Sequence, residues 1–146
     1  MRLEVKWDRS IYYWISDLVA DNINVEDGFP GGKLDLPTVS VTNLDVRGEP
    51  LELGGCEQNE IMWRIDIFAK NKTQRDELAY LLYSELEAHI DVNDYDVGFP
   101  PDTTPPKIGV LLVDKRVLKP VRVFEDLVEK LYWRSSITFR TKYQAI

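Results

Sequence analysis

The side chains best placed for chemistry are four aspartates close together, Asp91, Asp94, Asp96 and Asp102. Carboxylate oxygens at such spacing can hold a hard cation such as calcium or magnesium. The ligand order of an EF-hand loop, with its central glycine and closing glutamate, is missing, so a solvated acidic loop is the simpler reading. The chain has one cysteine, Cys56, and one histidine, His89. A single thiol excludes an internal disulfide and any cysteine metal cluster. A nucleophilic Cys56 would need His89 as its base, and an ordinary reduced thiol is the simpler reading. Arg64 and Asp66, two apart, read as a surface ion pair rather than an acid/base couple. No Gly-rich phosphate loop, HExxH or GxSxG motif is present. The expectation is a non-enzyme with no cofactor and no metal.

The elements that must position these residues are read from periodicity. Ile11, Trp14, Ile15, Leu18 and Val19 share one face of a helix over residues 8–21, with Asp8 or Ser10 able to cap its start. A second helix opens at Asn71 or Thr73, completed by Gln74 or Asp76 three residues on. Its apolar face holds Leu78, Leu81, Leu82, Leu86 and Ile90, and His89 lies near its negative end. Residues 37–46 are dense in β-branched side chains and predict a strand, with a bulge or bend near Asn43-Leu44. In residues 61–70, Ile61, Trp63, Ile65, Ile67 and Ala69 predict one buried strand face. Arg64, Asp66 and Lys70 lie on the other, with Met62 and Phe68.

Residues 108–113 form a short apolar run that Lys115-Arg116 can turn, with 117–123 as its partner strand, which Pro120 confines to an edge. Residues 124–130 read as a brief helix or a continuing turn. From Leu131 to Tyr143, apolar and basic residues alternate, giving a long strand with a basic outer face that carries Arg134 and Arg140. Two long irregular segments, 22–36 and 91–107, are rich in glycine and proline and exceed ordinary connection lengths. Both contain a similar phrase, Ile23-Asn24-Val25-Glu26-Asp27 and Ile90-Asp91-Val92-Asn93-Asp94, each followed by Gly-Phe-Pro; the match is too short to establish a repeat. The predicted fold is one α+β domain, residues 1–146. It has a mostly antiparallel sheet, two main helices on one face, and long projecting loops.

Charge is segregated along the chain. Residues 1–106 hold 21 acids against nine bases, and residues 107–146 hold four acids against nine bases, within a net charge of −7. An acidic whole argues against a dedicated nucleic-acid binder, whose affinity rests on neutralising phosphates. The basic end can instead meet nucleic acid locally, or the acidic body of another copy in a head-to-tail contact that closes into a ring. Charges on solvated faces are the plainer alternative. No stretch approaches the ~20 apolar residues of a membrane span, and the mixed charges at the N-terminus are unlike a signal peptide. The expected setting is the cytoplasm, or a particle assembled there.

Three phrases carry a resemblance: Leu36-Pro37-Thr38-Val39-Ser40-Val41, Leu51-Glu52-Leu53-Gly54-Gly55, and Trp63-Arg64-Ile65-Asp66-Ile67-Phe68-Ala69-Lys70. They are followed by Gln74-Arg75-Asp76-Glu77-Leu78 at a helix start. Together they resemble the tail-terminator (tail-completion) proteins of tailed bacteriophages over residues 8–95, with a looser fit through the final strand. Residues 97–106 depart from that pattern. The resemblance implies a structural protein of the virion tail and neck. It would form a ring, typically of six subunits in such proteins, cap the tail tube, and join it to the neck or head-closure protein. DNA would pass through the lumen without specific binding, and an acidic lumen would repel its phosphates. A head-closure (stopper) ring protein is the nearest alternative, and a metal-binding cytoplasmic domain a more distant one. The resemblance carries no catalytic residue. The candidate contact residues are Phe29 and Phe99 at the loop tips, Asp94 and Asp96, and Arg134 and Arg140.

Overall fold

The computed structural model describes residues 1–28, 35–50, 57–87, 89–121 and 133–146. Helix α1 (Leu3–Leu18) leads to strand β1 (Asn24–Asp27), then β2 (Thr38–Pro50) and β3 (Glu57–Ala69). Helix α2 (Lys72–Glu85) leads to β4 (His89–Asn93), β5 (Lys107–Val121) and β6 (Trp133–Ala145). The six strands form one sheet in the order β1-β2-β3-β6-β5-β4. Every neighbouring pair is antiparallel except β1 with β2. This is the predicted α+β class, with both helices contributing to one core.

Helix α1 starts five residues earlier than its predicted cap. Its N-cap is Arg2, without a side-chain bond, because the apolar stripe continues back through Trp7 to Leu3. Neither Asp8 nor Ser10 caps it. The Ser10 hydroxyl donates to the Lys6 carbonyl at 2.7 Å and accepts the Asn93 amide at 3.2 Å, tying α1 to β4. Trp7, Ile11 and Ile15 are buried at four-residue intervals, one face of the helix. The start of α2 follows the prediction: Asn71 accepts the Gln74 amide at 2.8 Å, and the Gln74 side chain accepts the Lys70 amide at 2.9 Å. Its end does not. The helix stops at Glu85, so Ile90 is a buried β4 residue rather than part of the helix face, His89 lies in β4, and Leu81 is exposed.

The core lies between the two helices and one sheet face. Ile61, Trp63, Ile65 and Ile67 of β3, with Ile137 and Phe139 of β6, are at most 1% exposed and meet Trp7, Ile11, Ile15, Leu78 and Leu82. Truncating any one of these aliphatic side chains to alanine is expected to cost about 2–5 kcal/mol. Helix α1 touches both sheet edges, β1 and β4, so the sheet curls around it, while α2 packs on β6, β3 and β5.

Both long segments contribute an edge strand. Residues 24–27 and 89–93 become β1 and β4 at opposite sheet edges, so the two similar phrases occupy matching places. Each follows a helix and precedes a long hairpin, β2–β3 or β5–β6, and each hairpin contains one register shift, at Asn43/Asp45 and Val113/Lys115. The first shift is the predicted bulge. The architecture is thus helix, edge strand and hairpin, twice over. Lys115-Arg116 does not turn the chain: β5 runs unbroken to Val121 and pairs with β6. Pro120 still sits on a locally free edge, because β4 covers β5 only as far as Leu112. The turn predicted at 124–130, Cys56 and Phe29 lie outside the described residues.

Candidate interaction surfaces

The sheet face turned away from the helices is polar at one end and basic at the other. Its first end carries Thr38, Ser40, Asp66 and Phe68, all buried. Asp66 is the expected surface partner of Arg64, but its side chain is 0% exposed. Arg64 Nε donates to one of its oxygens at 2.9 Å, and Arg134 Nη2 donates to the other at 2.8 Å. The Arg134 guanidinium also lies over the Phe68 ring, 5.3 Å from its centroid. A buried carboxylate must be matched by charge and hydrogen bonds, which these arginines supply. Arg134, a candidate contact residue, is therefore part of a charged clamp across β3 and β6.

Toward the other end the same face opens into a groove of about 440 Å³, lined by Arg47, Glu60, Met62, Lys115, Val117, Lys119, Thr138, Phe139 and Arg140. Strand pairing sets this composition. Arg140 lies opposite both Met62 and Lys115, and Lys119 lies opposite Ser136. Arg140 bonds Asp114 at 2.8 Å and Glu60 at 3.2 Å, and these two carboxylates hold its guanidinium firmly protonated. Lys115 and Lys119 are exposed and, among the described residues, have no ion-pair partner. Arg47 is likewise paired, with Asp45 at 2.7 Å, so Lys115 and Lys119 are the open cations of the groove among the described residues.

Asp94, Asp96 and Phe99 lie on the helix side, away from Arg134 and Arg140. Lys6 reaches Asp94 and Asp96, each at 2.9 Å, and the amino terminus of Met1 reaches Asp96 at 2.8 Å. Hydrogen bonds from these ammonium groups hold both carboxyls below the ordinary aspartate range. Tyr13, buried Tyr95 and Phe99 stack in sequence, with ring centroids 5.4 and 5.7 Å apart. Gly98 has φ +155°, and a Cβ there would stand 2.7 Å from Thr103. The base of the 94–106 segment is therefore fastened to α1, while Val97 and Phe99 stay exposed, at 59% and 45%. Asp91 instead meets Lys107 at 3.0 Å and His89 at 3.4 Å, so the four aspartates do not converge. Among the described residues no group of three or more metal-ligating side chains occurs. No helix among them is long and apolar enough to cross a membrane.

Two surface features escaped the sequence reading. Tyr80 of α2 is 64% exposed beside a cleft lined by Tyr83, Arg116 and Pro120, where Arg116 donates to the Tyr83 carbonyl at 2.6 Å. Trp133, expected on the buried face of its strand, is 42% exposed with the Arg75 guanidinium 5.3 Å from its ring. Neither is visible to periodicity, because each depends on which helix passes over which strand.

No protein-family model matches the chain, and no curated protein matches it in sequence. The fold itself recurs, with 27 matching chains among solved structures. One belongs to the virion of a native gene transfer agent (GTA) particle. The match covers 97% of this chain and 96% of that one, with a TM-score of 0.57 and 14% sequence identity. At this identity the likeness establishes a common fold spanning nearly the whole of both chains.

Proposed function

We propose that this protein is a structural component of a phage-like virion, a tail terminator whose copies form a ring that caps the tail tube and joins it to the neck. The observation that carries this reading is the end-to-end likeness of its fold to a chain of a GTA virion. The phrases of β2, β3 and α2 that resemble tail-completion proteins support it independently. So does the character of the surface. Among the described residues the buried carboxylate of Asp66 is neutralised by two arginines, Asp94 and Asp96 share Lys6, and Asp91 meets Lys107 instead. In this reading the partners are further copies of the chain, the tail tube protein and the neck or head-closure protein. DNA crosses the lumen without specific contacts, and the protein resides in the virion tail and neck after assembly in the host cytoplasm.

Phe99, held at its root by the Tyr95 stack and exposed at its tip, is proposed to contact the neighbouring ring together with Phe29. The double substitution Phe29→Ser and Phe99→Ser is expected to leave the subunit folded and to weaken ring stacking; unchanged assembly would discard that role. The role of the whole protein is tested by labelling it in the particle and imaging by electron microscopy. Label at the junction of tail and neck is the expected result. Label on the capsid side of the junction favours a stopper ring, and absence of label from every particle overturns both.

A further inference from the structure

The charge segregation along the chain becomes a spatial one in the fold. The basic groove holds Arg47, Lys115, Lys119 and Arg140 on the outer sheet face; Arg47 is paired with Asp45 and Arg140 with Asp114 and Glu60, so its open charges among the described residues are Lys115 and Lys119. Exposed acids lie instead at the end of α1 and just beyond it, Asp17 and Asp21, and along the edge strand β1, Glu26 and Asp27. Of these four, only Asp27 has an ion pair among the described residues, a long one to Arg9 at 4.0 Å. Crowding is evident nearby, where burial and the Asp27 charge push the Asp8 carboxyl up to about 6.

The two regions cannot meet within one copy. Strand β1 pairs with the Thr38–Val41 end of β2, whereas Arg47 lies six residues beyond Val41, a run of roughly 20 Å along the strand. Strands β2 and β3 also separate β1 from β6, and α1 lies on the sheet face opposite the groove. Corner and groove thus differ in strand end and in lateral position, although Glu26, level with Ser40, projects to the same sheet face as the groove.

We infer that copies of this chain associate head to tail, the basic groove of one receiving the acidic corner of the next. The inference rests on the ring reading above and assigns its contact surfaces. Charge complementarity selects the occupant: a net −7 chain is repelled by its own kind except where its cations are concentrated, and Lys115 and Lys119 are exposed and unpaired among the described residues. Because groove and corner are different surfaces, the contact is heterologous and leaves one of each free at every step. Repetition therefore continues until a rotation closes it into a ring. A polyanion such as duplex DNA is the competing occupant of the groove.

The test is a charge swap read by sedimentation velocity at low and high salt. The groove variant is Lys115→Glu with Lys119→Glu, and the corner variant is Asp21→Lys with Glu26→Lys; all four positions are exposed, and circular dichroism checks the fold of each. Wild-type protein is expected to self-associate at low salt and to dissociate as salt rises. Each variant alone should associate at least about ten-fold more weakly. An equimolar mixture of the two, and the variant carrying all four changes, should recover association, because each reversed groove then meets an oppositely charged corner. Wild-type protein that stays monomeric at low salt overturns the inference, as do variants that associate like the parent or a mixture that fails to recover. Loss of duplex DNA retention by the groove variant, with self-association intact, assigns the groove to DNA and overturns it too. None of these outcomes touches the particle-labelling experiment, so the ring reading stands or falls separately.

Discussion

The Thr141 hydroxyl sits at the centre of the core, accepting the Trp63 indole N–H at 3.0 Å and donating to the Ile61 carbonyl at 3.3 Å. All three residues are completely buried. Thr141→Val keeps the shape and removes both bonds, leaving an indole donor without a partner. The expected loss is about 1–3 kcal/mol, read as a lower midpoint in urea with unchanged slope; an unaltered midpoint would show that the relay adds nothing. Asp8 offers a contrasting case, because burial first and Asp27 second raise its carboxyl to about 6, against a weaker opposing pull from Arg9. A carboxyl raised on folding binds its proton more tightly in the native state. Its favourable contribution is therefore complete below the ordinary aspartate range and is lost as pH rises from about 4 to about 6. Asp8→Asn should raise the melting temperature at pH 7.5 and leave it unchanged near pH 3.5. An equal offset at both pH values would refute the assignment. The raised carboxyl escaped the sequence reading, which cast Asp8 as a helix cap. The stripe Leu3, Trp7, Ile11, Ile15 could have corrected that, since it continues the helix through and beyond Asp8.

At the scale of elements, β5 and β6 depend on a close approach at Gly109. A Cβ there would stand 2.6 Å from Tyr143 Cε2 and 2.7 Å from the Gln144 carbonyl oxygen. The Tyr143 ring fills that space and packs against Trp7, with centroids 5.3 Å apart, so the strand and α1 are joined through it. Gly109→Ala must push the ring or the strand away, and a loss of roughly 1–3 kcal/mol is expected. Thermal unfolding of Gly109→Ala alone and combined with Tyr143→Ala checks this. The second change should relieve the ring's share of the clash and leave that with the Gln144 carbonyl, so the double loss should fall below the sum; additive losses would place the cost on the carbonyl alone. Strand faces were legible here because alternation is a local property: β3 buries every residue of its predicted face. Strand extents were less legible. Lys115-Arg116 looks like a turn in sequence, yet the pair continues β5 because both find partners on β6, opposite Arg140 and Phe139. Likewise, Ile90 continues the helical apolar spacing of α2 but is buried just as well from β4.

At the scale of the whole molecule, the paired and dispersed aspartates of residues 91–102 bear on which class of function the chain can serve. Lys6 and the amino terminus occupy Asp94 and Asp96, and Lys107 occupies Asp91. Millimolar calcium, magnesium or EDTA should therefore leave the melting temperature within about one degree, since a ligand stabilises only by binding the native state. A shift of several degrees with either cation would revive the metal-binding reading and weaken the structural one. The sequence by itself determined the α+β class, the two helices, a capped start of α2 at Asn71 or Thr73, the core face of β3 and the segregation of charge along the chain. Each of these follows from local periodicity, local capping chemistry or composition. Only the tertiary structure decided that both irregular segments supply edge strands, that Asp66 is buried between two arginines, and that Arg47, Lys115, Lys119 and Arg140 share one groove. Those features depend on pairings between residues far apart in sequence, such as Asp66 with Arg134 and Met62 with Arg140. Periodicity assigns a side chain to a face, and only the register of the neighbouring strands decides what stands beside it.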